Sequence, residues 1–322
     1  MLRRRPAPAR LSALAIACVL TAATLAGCAS DTSGTGAAPG DDQTSFSNPP
    51  VADPIGVPTI DDEGLDVYVA MGDSYTAAPQ FPLDDALVID DCLRSDTNYP
   101  TLVADDLGIE VKDVSCSGAS TVSIFNGQKF TSKTEPPQIE ALSPDADLVT
   151  VGIGANDFTF FSDMIFDCLA VAQRDLQGSP CRSSNADAAG RDRLRRNLVK
   201  IRDNVQGVVE AISERAPEAR ILLIGYPQII PSEGTCRPRL PLAVGDYAYT
   251  LDLNLRLAEA VRDGGVSAGA EYVDMVAASQ GHDICSDQPW IAGIRGKDNK
   301  AAGLHPYPAE QEAVADLVLE ML

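Results

Sequence analysis

Between residues 61 and 322, short apolar runs alternate with segments whose apolar residues return every three or four positions. The runs at 66–71, 110–114, 147–153, 219–224 and 271–274 are brief and bounded by turn formers, so each is read as a strand. The clearest helix is 191–215. Its Leu194, Leu198, Ile201, Val205, Val208 and Ile212 fall on one face, while Arg193, Arg195, Lys200, Arg202 and Glu210 lie outside that stripe. Further helices are predicted at 100–107, where Pro100 suits the first turn and Gly108 the end, and at 246–262 and 308–321. Strands that alternate with helices, joined by right-handed crossovers, predict an α/β fold. The expected architecture is a three-layer αβα sandwich around a five-stranded parallel sheet with flavodoxin-like strand order. The segments 76–98, 158–187 and 229–245 are too long for simple connections and are expected to shape a binding surface.

The beginning of the chain reads as an export signal, with Arg3, Arg4, Arg5 and Arg10 ahead of an Ala/Leu-rich stretch over 11–25. That stretch is shorter than the about 20 apolar residues a membrane-spanning helix needs. It runs into Leu25-Ala26-Gly27-Cys28, which resembles the lipobox of bacterial lipoproteins. The resemblance implies a lipidated Cys28 as the first mature residue, the alternative being a plain secretory signal. From 29 to 58 the chain is rich in Ser, Thr, Gly, Pro and Asp, the composition of a disordered tether. The expected division is a signal over 1–27, a tether over 28–60 and a folded domain over 61–322. The domain is expected to lie outside the cytoplasm, as a monomer held by its lipid on the outer face of the cell membrane.

A formal net charge of −21 argues against surfaces built for nucleic acid or anionic lipid. Cys18 and Cys28 fall in the leader, leaving Cys92, Cys116, Cys168, Cys181, Cys236 and Cys285. Six cysteines permit 15 pairings. The sequential set, 92 with 116, 168 with 181 and 236 with 285, is expected because each pair brackets a long loop. Neither a CxxC nor an HExxH spacing occurs, so no metal and no cofactor is expected.

The candidate chemistry sits where predicted strands end. Gly72-Asp73-Ser74-Tyr75 follows the first strand directly, placing a serine in the crevice where α/β proteins bind ligands. Taken alone, Gly-Asp-Ser is also ordinary turn chemistry. Ser115-Cys116-Ser117-Gly118-Ala119 follows the second strand and Gly154-Ala155-Asn156-Asp157 the third, offering backbone and side-chain amides at the same rim. A serine nucleophile needs a base, and His282 and His305 are the two histidines of the chain. His305, just before the last helix, is favoured; His282 lies beside a cysteine and reads as structural.

Gly72-Asp73-Ser74, Gly118, Gly154-x-Asn156-Asp157 and His305-Pro306 resemble, in order, the four motif blocks of the SGNH (GDSL-type) hydrolases. In style the chain is similar to secreted actinobacterial esterases and lipases with three disulfides. The resemblance implies Ser74 as nucleophile and His305 as general base. It further implies an oxyanion hole formed by the N–H groups of Ser74 and Gly118 with the Asn156 side chain. Many members carry an aspartate three residues before the histidine, where this chain has Ala302. A Ser-His dyad is therefore expected, with the carbonyl of Ala302 or Gly303 holding the imidazole, and Asp283 or Asp298 as alternative partners. A histidine of ordinary acidity would lose activity below about pH 6.

The implied activity is hydrolysis of carboxylic esters. Phe158, Phe160, Phe161, Met164, Ile165 and Phe166 crowd behind Asn156, as an acyl pocket or as a core anchor. With the membrane tether they favour lipid-like or medium-chain acyl esters. A carbohydrate acetylesterase of the cell envelope and an envelope-binding lipoprotein without turnover are the other readings.

Overall fold

Five apolar runs lie side by side in one parallel sheet, each within two residues of its predicted bounds. The computed structural model describes residues 64–80, 91–296 and 300–322; the expected leader, Cys28, most of the expected tether-to-domain junction and Asp298 lie outside the described residues. The chain order is β1 (Tyr68–Gly72), α1 (Ser74–Ala77), α2 (Tyr99–Leu107), β2 (Val111–Asp113), α3 (Thr121–Phe125), β3 (Gln128–Lys129), β4 (Thr134–Glu135) and β5 (Leu148–Gly152). It continues with α4 (Phe160–Ser162), α5 (Cys168–Ala172), α6 (Pro180–Asn185), α7 (Arg193–Arg215), β6 (Arg220–Ile224), α8 (Tyr247–Ser267), β7 (Glu271–Val273), α9 (Met275–Ala278) and α10 (Pro308–Met321).

The sheet order is β2-β1-β5-β6-β7, with every pair parallel. This is the flavodoxin-like order, whose switch point falls between β1 and β5. Successive strand residues point to opposite faces, and the two cores divide accordingly. Val69, Met71, Val149, Val151 and Leu223 pack on the side of α7 and α8, while Tyr68, Ala70, Leu148 and Leu222 pack on the side of α2 and α10. All six stripe residues predicted on α7 are buried.

The long excursions are stapled. Disulfides join Cys92 to Cys116, Cys168 to Cys181 and Cys236 to Cys285, the sequential set. The second staple pins the α5–α6 segment, and the third ties the loop after β6 to the loop before α10. The β3–β4 hairpin was not predicted, since two-residue strands carry no periodic signal.

Glu310, in the first turn of α10, is fully buried and its carboxylate accepts from its neighbour Gln311. Burial pushes its carboxyl up to about 8, against the lowering pull of that hydrogen bond. A value raised by folding means the acid contributes stability below its unfolded value, and that stability is lost as pH climbs toward 8. Glu310→Gln is therefore expected to match the parent's melting temperature at pH 4 and exceed it at pH 9. Parallel melting curves at both pH values would contradict this.

Candidate active site

Strand β1 ends at Gly72, which sits opposite Gly152 of β5. A Cβ at Gly72 would lie 2.8 Å from the Gly152 carbonyl oxygen and closer still to Thr76, so only glycine permits the turn. Both backbone groups of Gly72 are held by one side chain: its N–H donates to Gln138 Oε1 at 2.8 Å and its carbonyl accepts from Gln138 Nε2 at 2.9 Å. Asp73 caps α1 by accepting from the Tyr75 N–H at 2.9 Å. Ser74 is thereby fixed as the first residue of α1, at the carboxyl end of the sheet.

The second oxygen of Asp73 accepts from the Tyr226 hydroxyl at 2.6 Å, and that hydroxyl accepts from the Ala155 N–H at 3.0 Å. One phenol thus links the turn after β1 to the turn after β5. Asp73 is buried, and desolvation pushes its carboxyl up to about 7 despite the Tyr226 and Tyr75 hydrogen bonds. Asp157, next to Asn156, accepts from the N–H and hydroxyl of Thr121 and from Asn204, so its work is to join this turn to α3 and α7.

The loop after β2 is anchored around Gly118, which adopts φ +78°. Ser117 N–H donates to Cys92 and Ala119 N–H to Cys116. The Ala119 carbonyl accepts from Asn156 Nδ2 at 2.8 Å. That bond uses one of the two amide hydrogens of Asn156 and leaves the other. Among the described residues, the N–H groups of Ser74 and Gly118 donate to no protein acceptor.

His305 enters from the loop before α10. Its Nδ1 lies 2.8 Å from the Gly303 carbonyl oxygen, which can only accept, so the proton sits on Nδ1 and Nε2 keeps its lone pair. The loop is braced by Ala302 N–H to Pro79, Ala292 N–H to the His305 carbonyl and Tyr307 N–H to Trp290. The Tyr75 hydroxyl donates to the Leu304 carbonyl at 3.0 Å. Burial pulls the imidazole below its ordinary value of 6.5, opposed by the Gly303 hydrogen bond.

Ser74, Gly118, Asn156 and His305 line one cavity of about 350 Å³. His282 is not among its lining residues; it stacks on Trp290 at 4.4 Å and its Nδ1 meets the Gln288 carbonyl. Asp283 accepts from the Cys285 N–H. The phenylalanine cluster divides. Phe160, Met164 and Ile165 are core, whereas Phe161 and Phe166 line the cavity with Leu93 and Pro79. Phe158 is exposed beneath the Lys200 ammonium.

Among the described residues, the non-glycine positions with positive φ are Ala78, Leu93, Phe158, Thr159 and Leu304. Leu93 and Leu304 line the cavity, Ala78 adjoins Pro79 of its wall, and the other two follow Asn156. Such backbone costs of order 1–3 kcal/mol per residue and persists where its surroundings enforce it.

A family model described as the GDSL-like Lipase/Acylhydrolase family matches residues 70–313. The chain belongs to this family. It is a carboxylic ester hydrolase of the GDSL lipase and esterase type. The relatives it resembles include Lipase 2 of Streptomyces coelicolor, 34% identical over 274 residues, which span 82% of this chain and 86% of that protein. A lipase of Streptomyces rimosus is 30% identical over 231 residues, 70% of this chain and 76% of that one. Among solved structures, phospholipase A1 from Streptomyces albidoflavus NA297 shares the fold with a TM-score of 0.64 at 24% identity, covering 80% of this chain and all of that one.

Gln138, Tyr75 and Tyr226 escaped the sequence reading. Tyr226 did carry a signal: Gly225-Tyr226-Pro227 closes the fourth strand of the sheet, the same kind of position as the three motif turns. The two glutamine and tyrosine contacts from Gln138 and Tyr75 span 66 and 229 positions and leave no local mark.

Proposed function

We propose that this GDSL hydrolase cleaves acyl esters through an acyl-enzyme on Ser74. His305 Nε2 takes the Ser74 proton as Oγ attacks the ester carbonyl carbon. The carbonyl electron pair moves onto oxygen, and the N–H groups of Ser74 and Gly118 with the Asn156 amide hold that oxyanion. The oxyanion collapses, the bond to the alcohol oxygen breaks, and the imidazolium returns its proton to the leaving alcohol. Water, deprotonated by His305, then adds to the acyl carbon; a second collapse breaks the bond to Ser74 Oγ, which regains its proton as the acid leaves.

The observation that carries this reading is the lining of a single cavity by Ser74, by His305 with its Nδ1 proton spoken for, and by three amide donors. A carbonyl partner fixes the tautomer but lacks the charge with which a carboxylate would stabilise imidazolium. Asn156→Ala is expected to lower turnover by about 10²–10³-fold, the usual cost of one oxyanion donor. Turnover equal to the parent would remove Asn156 from the hole.

The substrates we propose are lipid-like or medium-chain acyl esters, whose acyl chain would lie along Leu93, Phe161 and Phe166. A series of p-nitrophenyl esters of increasing chain length tests this. A sharp preference for acetate would replace it with a carbohydrate deacetylase. Disulfides and the export signal support work outside the cytoplasm, with the chain anchored through lipid on Cys28. Metabolic labelling with a radioactive fatty acid that leaves Cys28→Ala and the parent equally labelled would end the anchor.

A further inference from the structure

The loop that presents Gly118 is anchored on almost every side. Ser117 N–H donates to the Cys92 carbonyl, Ala119 N–H to the Cys116 carbonyl, and the Ala119 carbonyl accepts from Asn156. One more bond comes from outside the four motif blocks. Gln128, the first residue of β3, donates from Nε2 to the Ser117 carbonyl oxygen at 2.8 Å.

That bond acts on a rigid unit. The Ser117 carbonyl and the Gly118 N–H belong to the same planar, trans peptide, in which C=O and N–H point in opposite directions. A donor that holds the carbonyl from one side fixes the direction of the N–H on the other. At φ +78°, Gly118 has no side chain to resist rotation of this plane, so the restraint must come from outside the residue.

We infer that Gln128 is a positioning residue of the oxyanion hole, holding the Ser117–Gly118 peptide plane so that the Gly118 N–H is aimed into the cavity. The inference rests on the proposed role of Gly118. The orientation of the Gln128 amide is decided by its partner, because a carbonyl oxygen only accepts and must face the NH₂ end. Its other end bears a cost. Gln128 Oε1 is buried without a hydrogen-bond partner. A side chain serving only to fill space would be better as methionine, which has the same reach and no oxygen to strand.

The test compares Gln128→Met, Gln128→Glu, Ser74→Ala and Lys129→Ala with the parent, on one chromogenic ester, reading kcat, KM and melting temperature. Gln128→Met is expected to melt no lower than the parent, to keep its KM, and to lose about 10-fold in kcat, less than the 10²–10³ of a donor removed outright. Lys129→Ala, on the same hairpin, keeps its kcat. Gln128→Glu has the same shape, but its carboxylate has no proton to donate above the ordinary carboxyl range near 4.3. Burial at this position raises a carboxyl above that range, so the activity of Gln128→Glu relative to the parent is expected to rise as pH falls from about 8 to 5, as protonation restores the donor. A ratio that stays flat over this range, or parental kcat in Gln128→Met, overturns the inference. Should Gln128→Met fail to fold, the isosteric glutamate variant decides alone. If Ser74→Ala is inactive while both Gln128 variants match the parent, the role of Gln128 falls and that of Ser74 stands. If Ser74→Ala stays active, the site reading falls with it.

Discussion

Ser74→Ala is expected to lower ester hydrolysis by roughly 10⁶-fold, the scale on which loss of a serine nucleophile is felt. The fold is expected to survive, because the turn does not depend on the hydroxyl. Gln138 clamps both backbone groups of Gly72, and Asp73 caps the short helix through the Tyr75 N–H. The change removes one oxygen from a residue that is itself 9% exposed, and so creates little new void. Turnover of a chromogenic ester beside a thermal melt separates the two effects. A variant that melts like the parent and still turns over within an order of magnitude would place the nucleophile elsewhere.

His305→Gln is expected to cost about 10²–10⁴-fold, the worth of a positioned general base. Glutamine keeps the volume against Tyr75 but cannot accept the serine proton and later release it. The pH profile carries the same claim in the parent enzyme. The proposed base is the neutral imidazole, and burial lowers its value below 6.5, so the acid limb of kcat/KM should be centred below pH 6.5. This moves the acid limb below the place an ordinary histidine would give. An acid limb centred above 6.5 would contradict the burial argument. The partner of Nδ1 is a backbone carbonyl, which no side-chain substitution removes. Asp283→Asn is accordingly expected to keep near-parental activity, and a hundredfold loss there would reassign the orienting role to a carboxylate.

The three central strands of the sheet, β1, β5 and β6, were legible because parallel strands buried on both faces write themselves as apolar runs. The four longest helices were legible for a similar reason: α7 and α8 each present an apolar face to one core, and α2 and α10 to the other. The motif turns followed once strand ends were known, since a crevice forms outside the carboxyl edge at the switch point. What the sequence concealed were long-range polar contacts. Gln138 reaches Gly72 across 66 positions and looks ordinary in its own segment, whereas Tyr226, which reaches Asp73 across 153, was marked only by its place at a strand end. Glu310 was hidden in the opposite way. A glutamate in the first turn of a helix is the ordinary solvated choice, and only the packing of α10 beside Tyr99 and Tyr75 buries it. The aromatic crowd after Asn156 could not be divided between core and cavity from its sequence, because a π-helical turn over Asp163–Asp167 shifts the faces on which its residues emerge.

The most direct test of the account is labelling of the folded domain with a fluorophosphonate, which forms a covalent bond to an activated serine oxygen, followed by peptide mapping. The account predicts a single adduct on Ser74, formed much more slowly in His305→Gln. An unlabelled parent enzyme, or an adduct on a different serine, would contradict it.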